Sequence, residues 1–247
     1  YTLIHREIAR FASVYAQTII TPVTSTLLFY TIFALAFGGL EKEVGGIPFL
    51  QFLAPGLIMM SMVQNAFANT SSSLIIAKVQ GNIVDILMPP LSALELLAGL
   101  VICGLARGLA VGAVSSVIMS LFLSLPIQSV GLIVLFSVLG NVLMATLGII
   151  GGVIAHKFDH LAAFTNFFVM PFTFLSGTFY SVESLPGAWA LLAHANPFFY
   201  MIDGFRAGFI GHADGSIEIG IVLLVAINIV LCAVTYWMLK TGYRIKS

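Results

Sequence analysis

Apolar positions along the chain fall in long unbroken runs, with no sustained alternation of apolar and polar residues. Roughly 20 helical residues, rising about 1.5 Å each, cross a hydrocarbon core of about 30 Å. The runs predict six spans at about 22–39, 49–70, 92–125, 129–155, 161–180 and 217–239. A polar turn carrying Glu41, Lys42 and Glu43 separates the first two, and Pro126 separates the third from the fourth. Two of the spans are longer than a bilayer needs, so they tilt or project into water.

The stretch 185–210 is also apolar, but it holds Pro186, His194, Asn196, Pro197, Asp203 and Arg206. A crossing helix would strand those backbone gaps and polar side chains in lipid. An external re-entrant or interfacial helical hairpin is expected instead. The distribution of basic residues supports that choice, because cytoplasmic flanks collect Lys and Arg. With six spans and both termini inside, Arg6, Arg10, Lys78, Lys157, Lys240, Arg244 and Lys246 lie on inner flanks and only Lys42 and Arg206 outside. A seventh span would carry Lys240, Arg244 and Lys246 outward. Ahead of the first span, over 1–17, Leu3, Ile4, Ile8, Phe11 and Val14 recur at three- and four-residue steps around Arg6, Glu7 and Arg10. The pattern predicts an amphipathic helix along the cytoplasmic interface; a basic flank that anchors the first span is the alternative.

Composition agrees with the pattern. Of 247 residues 60% are hydrophobic and 8% charged, against roughly 25% charged in a soluble domain. The expected fold class is an all-α polytopic membrane protein, with 1–247 as one transmembrane domain. A β-barrel would show alternating segments of about 10 residues. The formal net charge is zero, which encodes no attraction to nucleic acid. Cys103 and Cys232 sit in apolar runs as free thiols, without metal-ligand spacing. The charges at the start of the chain do not resemble a cleavable signal peptide.

The longest polar interruption on the inner side, Ser71 to Leu91, follows the second span and contains the expected coupling loop at 78–91. Within it, Gly81 to Met88 reads as a short helix ended by Pro89 and Pro90. Ile83, Val84, Ile86, Leu87 and Met88 are many apolar residues for a loop in water, and Asp85 is the charge among them. Such a surface suggests a docking partner. The chain has no G-x-x-x-x-G-K-[S/T] sequence, so ATP binding through a P-loop requires another subunit.

The residues Phe174-Leu175-Ser176-Gly177-Thr178-Phe179-Tyr180, Glu183 to Pro186, Asn196-Pro197 and Arg206 together resemble the end of type-2 ABC exporter permeases. The run Gly81-Asn82-Ile83-Val84-Asp85-Ile86-Leu87-Met88-Pro89-Pro90 is similar to the loop by which those permeases meet their motor, with Pro89 where a small hydroxyl residue is usual. The resemblance extends over nearly the whole chain. It implies a dimer of permeases, most simply a homodimer, with two copies of an ABC ATPase subunit that carry the ATP and Mg. No cofactor is then bound by this chain. It implies a bacterial inner membrane location and coupling through Gly81 to Met88 with help from Arg6 and Arg10. It also implies a pathway between the second and fifth spans of the two copies, and an external hairpin marked by Gly177, Glu183, Pro186, Asn196, Pro197 and Arg206.

Within the spans, Ser61, Asn65 and Asn69 step by four along one face. They either line a water-filled cavity or bond between helices, and the resemblance favours the cavity. On the fifth span Phe164, Phe168, Phe172 and Leu175 share a face, thickened by Phe167, Phe174 and Phe179. That face serves packing or the passage of an amphipathic molecule. Arg107 lies inside the third span and is expected to snorkel to the inner headgroups, with substrate contact as the alternative. His156 and His160 read as part of a second docking loop, since two histidines lack a third ligand. Gly108 with Gly112, and Gly148 with Gly152, mark close helix packing. A channel or secondary transporter acting alone is the rival function. It would ordinarily show intramembrane carboxylates, and only Glu95 comes near. Drugs, lipids, glycan-linked lipids and polysaccharides are all carried by similar permeases, and an apolar wall tilts the expectation toward a hydrophobic cargo.

Overall fold

In the computed structural model, residues 2–37, 43–81 and 91–244 are described. The predicted docking helix, with Ile83, Val84, Asp85, Ile86, Leu87 and Met88, lies outside them. Helix α1 (Thr2–Ser13) carries the amphipathic pattern. A π-helical turn (Ala16–Ile20) then leads into α2 (Thr21–Phe37). Pro22 cannot donate to the carbonyl four residues back, and the widened turn sits just before it. A short hairpin, β1 (Glu43–Val44) and β2 (Ile47–Pro48), turns through Gly45 and Gly46. Both glycines have positive φ, as a two-residue hairpin turn demands.

Eight helices follow among the described residues. Helix α3 spans Phe49–Val79, α4 Ala93–Phe122 and α5 Val130–Ile154. Glu95 has a local explanation: Ser92 accepts from its backbone N–H at 3.2 Å, and its carboxylate accepts from Ser92 N at 2.8 Å. This is a capping box that starts α4, which gives Glu95 a local structural role. Helix α6 (Phe158–Phe164), a second π-helical turn (Thr165–Val169) and α7 (Met170–Phe174) run end to end. Helices α8 (Ala188–His194) and α9 (Pro197–Ile210) form the hairpin region, and α10 (Ile217–Thr241) completes the chain.

The fold is all-α, and five helical stretches are long and apolar enough to cross a membrane: Ala16–Phe37, α3, α4, α5 and α10. The predicted span at 161–180 is shorter than expected. Its helix covers 158–174, about 25 Å. Pro171 withdraws a backbone donor inside it, and the chain leaves the helix at Leu175 and turns at Gly177, where φ is +72°. Conversely, α3 continues past 70, through residues expected to begin the cytoplasmic loop. Their hydroxyls are satisfied within the protein: Ser71 Oγ donates to Phe67 O at 2.8 Å and Ser73 Oγ to Glu7 Oε2 at 2.9 Å. Lys78 Nζ donates to the carbonyls of Val153 and Ala155 at the end of α5, where a cation meets the negative end of the helix dipole.

Helix α3 is the centre of the molecule, packed against both α4 and α5. Glycines bring the backbones together. A Cβ on Gly108 would stand 3.0 Å from Met62 O, and one on Gly152 would stand 2.9 Å from Leu74 Cβ. Thr70 Oγ1 donates to Ala145 O at 2.8 Å across the α3–α5 contact. The predicted close-packing glycines therefore face α3 from both sides.

One buried arginine closes the end of this bundle. Arg206 on α9 is 1% exposed. Its Nη2 donates to Gly177 O at 2.7 Å and its Nε to Phe52 O at 3.2 Å, while the guanidinium lies 3.7 Å from the Phe52 ring centre. Asp203 stands 3.9 Å from Nη1 and accepts from the backbone N–H groups of Asp214 and Gly215, each at 2.9 Å. Asp214 in turn accepts from Ser181 Oγ at 2.6 Å and Val182 N at 2.7 Å. Burial lowers the Arg206 pKa to about 10, so the group is charged at neutral pH. Burial also raises the Asp203 carboxyl above its ordinary value, opposed by the Asp214 N–H and by Arg206. Removing one member of a buried charge network leaves its partners uncompensated. Arg206→Ala should destabilise the detergent-solubilised protein by about 3–5 kcal/mol. Phe52→Leu, which removes only the ring face, should cost about 1–2 kcal/mol. Thermal unfolding of the two variants tests this, and equal small losses would show that the guanidinium is not the organising group.

Candidate functional site

Helix α3 is buried along almost all of its length, and its incompletely buried positions between Met60 and Ile76 are Met60, Gln64, Ala68, Ser72 and Ile76. Successive four-residue steps advance about 40° around a helix of 3.6 residues per turn, so the stripe winds. Three clefts open along it. The largest, about 490 Å³, lies between α3 and the α6–α7 helix and is lined by Gln64, Ser72, Thr165, Asn166 and Met170, among others. A second of about 360 Å³ lies beneath α1 and includes Arg10, Gln17, Asn69 and Arg107. The third, about 250 Å³, faces α2 and includes Ser25, Ser61, Gln64 and Asn65. Both π-helical turns border these clefts, Gln17 and Thr18 from the first and Thr165, Asn166 and Val169 from the second. Such turns often mark functional positions because they displace a stretch of helix from regular register.

The predicted polar face lies one residue away from the open stripe. Ser61, Asn65 and Asn69 are buried. Asn65 Nδ2 donates to Ser61 O at 2.9 Å, its Oδ1 accepts from Arg107 Nη2 at 2.9 Å, and Asn69 O accepts from Arg10 Nη2 at 3.2 Å. Ser61 and Asn65 also border the smallest cleft, and Asn69 the middle one. Gln64, Ser72 and Asn166 were not singled out in the sequence, although Gln64 and Ser72 are polar and eight apart. Arg107, expected to snorkel or to contact substrate, uses one of its N–H groups to bond Asn65 across the α3–α4 contact.

The aromatic face of the fifth predicted span is continuous. Ring centres run from Phe67 to Phe164 at 6.1 Å, on to Phe168 at 5.4 Å, to Phe172 at 4.8 Å and to Phe198 at 6.0 Å. Leu175 is half-buried at the end of α7, where its N–H donates to Pro171 O at 3.0 Å. Phe167 is 85% exposed and Phe174 54%, so the outer side of this helix is an uncovered apolar surface.

The remaining predicted residues fall at the two ends of the bundle. On α1, Glu7 is buried between Arg10, at 2.9 Å, and Arg6, at 3.5 Å. Its bond from Ser73 clamps the interface helix onto α3. Gly81, with φ +76°, ends the turn after α3. At the other end Gly177 and Arg206 share the network described above. Asn196 caps α9, accepting from Phe198 N at 3.0 Å, and donates to Phe172 O at 2.7 Å. Pro197 takes the first position of α9, where its missing N–H costs nothing. Glu183 is exposed in a 3₁₀ turn (Val182–Ser184), and Pro186 O accepts from Trp189 N at 3.2 Å. His156 and His160 are 6.4 Å apart edge to face, but only His160 is on α6.

Comparison with known proteins identifies the family. The family described as ABC-2 type transporter matches residues 1–210. The chain is similar to "Inner membrane transport permease YadH" of Escherichia coli (strain K12), 36% identical over 98% of this chain and 94% of that protein. It is also similar to "Nodulation protein J" of Sinorhizobium fredii (strain NBRC 101917 / NGR234), 25% identical over 81% of this chain and 75% of that protein. The matched family, the near full-length relative and the membrane-length helices lead to one conclusion: the chain belongs to the ABC-2 type transporter family, as a membrane permease subunit of an ABC transporter.

Proposed function

We propose that the chain is the pathway-forming subunit of an ATP-driven exporter, working as a homodimer with two copies of an ABC ATPase subunit that bind ATP and Mg. The observation that carries this reading is the winding stripe Met60, Gln64, Ala68, Ser72 and Ile76 on an otherwise buried α3. A polar and small-residue stripe in a membrane helix faces protein or water. The largest cleft beside it sets Gln64, Ser72, Thr165 and Asn166 against Phe67, Leu161, Val169 and Met170, a surface with both polar and apolar sides, and the stacked rings of Phe164, Phe168 and Phe172 lie on the same α6–α7 helix. A second copy packed on the exposed Phe167 and Phe174 would enclose that surface between two fifth helices. The cargo this lining suits is amphipathic or lipid-like.

The transport reading is tested with vesicles holding the permease and its ATPase. Gln64→Trp and Phe168→Ala should lower ATP-driven export of a lipid-like cargo about tenfold, about 1.4 kcal/mol on the barrier, while the ATPase still co-purifies. Gradient-driven transport by this chain without the ATPase would sink the reading in favour of a stand-alone transporter.

In this topology the helix 158–174 and the turn after it make the sixth crossing, α8 and α9 stay outside as a re-entrant hairpin, and both termini are cytoplasmic in a bacterial inner membrane. The hairpin's helices are too short to cross, which supports this arrangement. Cysteines at Glu183 and Glu218, in a background lacking Cys103 and Cys232, should both react with an impermeant thiol reagent added outside. Labelling from opposite sides would mean that the hairpin crosses.

Coupling is assigned to Gly81 through Met88, with Arg6 and Arg10 on the adjoining interface helix. A rigid short helix seated in the ATPase transmits a domain rotation into the spans. Support comes from α3, which extends to Val79 and so links that loop directly to the stripe. Replacing Ile86 and Leu87 by aspartate should weaken ATPase binding by about 2–5 kcal/mol, measured by co-purification and by cargo-stimulated hydrolysis. An unchanged complex with unchanged stimulation would place the motor contact elsewhere.

A further inference from the structure

The cleft of about 360 Å³ beneath α1 differs in charge from the other two. Arg10 from α1 and Arg107 from inside α4 both line it, beside Asn69 and Ser72 of α3. The charge of Arg10 is balanced by Glu7 at 2.9 Å. Arg107 bonds to the neutral Asn65 amide, and no carboxylate pairs with it among the described residues. The Nε atoms of Arg10 and Arg107 and the Oδ1 of Asn69 are buried with no hydrogen-bond partner among the described residues. Turning the Asn69 amide over offers N–H donors in place of that oxygen. A half-buried cation without a counter-charge, next to buried donors that make no other bond, is satisfied by an anionic oxygen ligand.

The rest of the lining narrows the ligand. Phe11, Val14 and Ile76 supply apolar walls, and Val14 is exposed in the turn just after α1. An apolar lip over a cationic floor matches a glycerophospholipid, whose phosphate meets the guanidinium groups while its glycerol and first methylenes lie on Val14 and Ile76. A free phosphate would gain nothing from the lip. We propose that this cavity binds the phosphate diester headgroup of an anionic membrane lipid, with Arg107 as its cationic ligand and α1 as its outer wall. The bound lipid then seats the interface helix against α3 and α4. Only the leaflet depends on the topology proposed above: with both termini cytoplasmic it is the inner one.

The test uses the full chain in detergent micelles, with phosphatidylglycerol, phosphatidylcholine and inorganic phosphate as probes and native mass spectrometry as the readout. The unaltered protein should retain phosphatidylglycerol over phosphatidylcholine, and millimolar inorganic phosphate should not displace it. Arg107→Gln, which keeps a donor for Asn65 but removes the charge, should lower retention at least about tenfold, and Arg107→Lys should restore part of it. Val14→Trp, which narrows the mouth without altering charge, should also lower retention; it decides the matter if Arg107→Gln fails to fold. Undiminished retention in Arg107→Gln and Val14→Trp overturns the site. Displacement by inorganic phosphate overturns the lipid and makes the ligand a free anion. Neither result bears on whether the Gln64 stripe carries cargo, which is read from transport.

Discussion

Arg206 holds a full positive charge where no water reaches it, and much of the surrounding geometry follows from that constraint. A buried guanidinium needs acceptors on several sides at once. Here they come from three separate parts of the chain: Phe52 O on α3, Gly177 O after α7, and Asp203 one turn back on α9. The Gly177 carbonyl can face the arginine because the backbone has already left the helix in a left-handed turn. The end of the short fifth helix, the start of the central helix and the hairpin are thereby joined at a single group. Asp203 extends the linkage to the backbone of Asp214 and Gly215, and Asp214 to Ser181 and Val182. The hairpin region is therefore fastened by polar bonds, whereas the long helices are fastened by shape.

That second mode of fastening explains why α3 is both the core and the candidate functional surface. Lipid tails are as apolar as leucine, so helices in a membrane gain from close contact more than from burial. Glycines on α4 and α5 admit the backbone of α3 on two sides, and α1 is clamped to it by Glu7 and Ser73. What stays open is the narrow winding stripe through Gln64 and Ser72. Among the polar groups of α3, Asn65 is paired with Arg107, while Gln64 and Ser72 lie on that stripe beside a cleft. The same logic separates the clefts: the large one is lined by neutral side chains, while the one under α1 carries the cations.

Much of this was legible in the chain. Long apolar runs can only be membrane helices, because backbone groups in lipid must bond within their own segment, and the first, third, fourth and last predicted spans lie within a few residues of helices in the structure. The amphipathic start, the proline and asparagine of the hairpin and the glycine pairs are local signals, each tied to one backbone requirement, and each has a structural counterpart. Gly81 to Met88 was equally prominent, although most of it lies outside the described residues.

What the sequence could not supply were the decisions made between helices. A step of four identifies a face but not its phase, so Ser61, Asn65 and Asn69 stood out while the open stripe is Gln64, Ala68 and Ser72. Which face is covered depends on where α4 and α5 press. The serines after 70 read as loop because hydroxyls are poor company for lipid, yet bonds to Phe67 and Glu7 keep them helical and buried. Arg206 read as an outer-flank charge and Arg107 as a snorkelling one; the first is fully enclosed and the second turns to Asn65, because distant segments bring acceptors to them. Composition and periodicity thus determined that the chain crosses a membrane as helices, since hydrocarbon imposes that on each segment separately. Tertiary packing alone decided which polar groups are paired and which are left facing a cleft, since a hydrogen bond or a counter-charge belongs to two places in the chain at once.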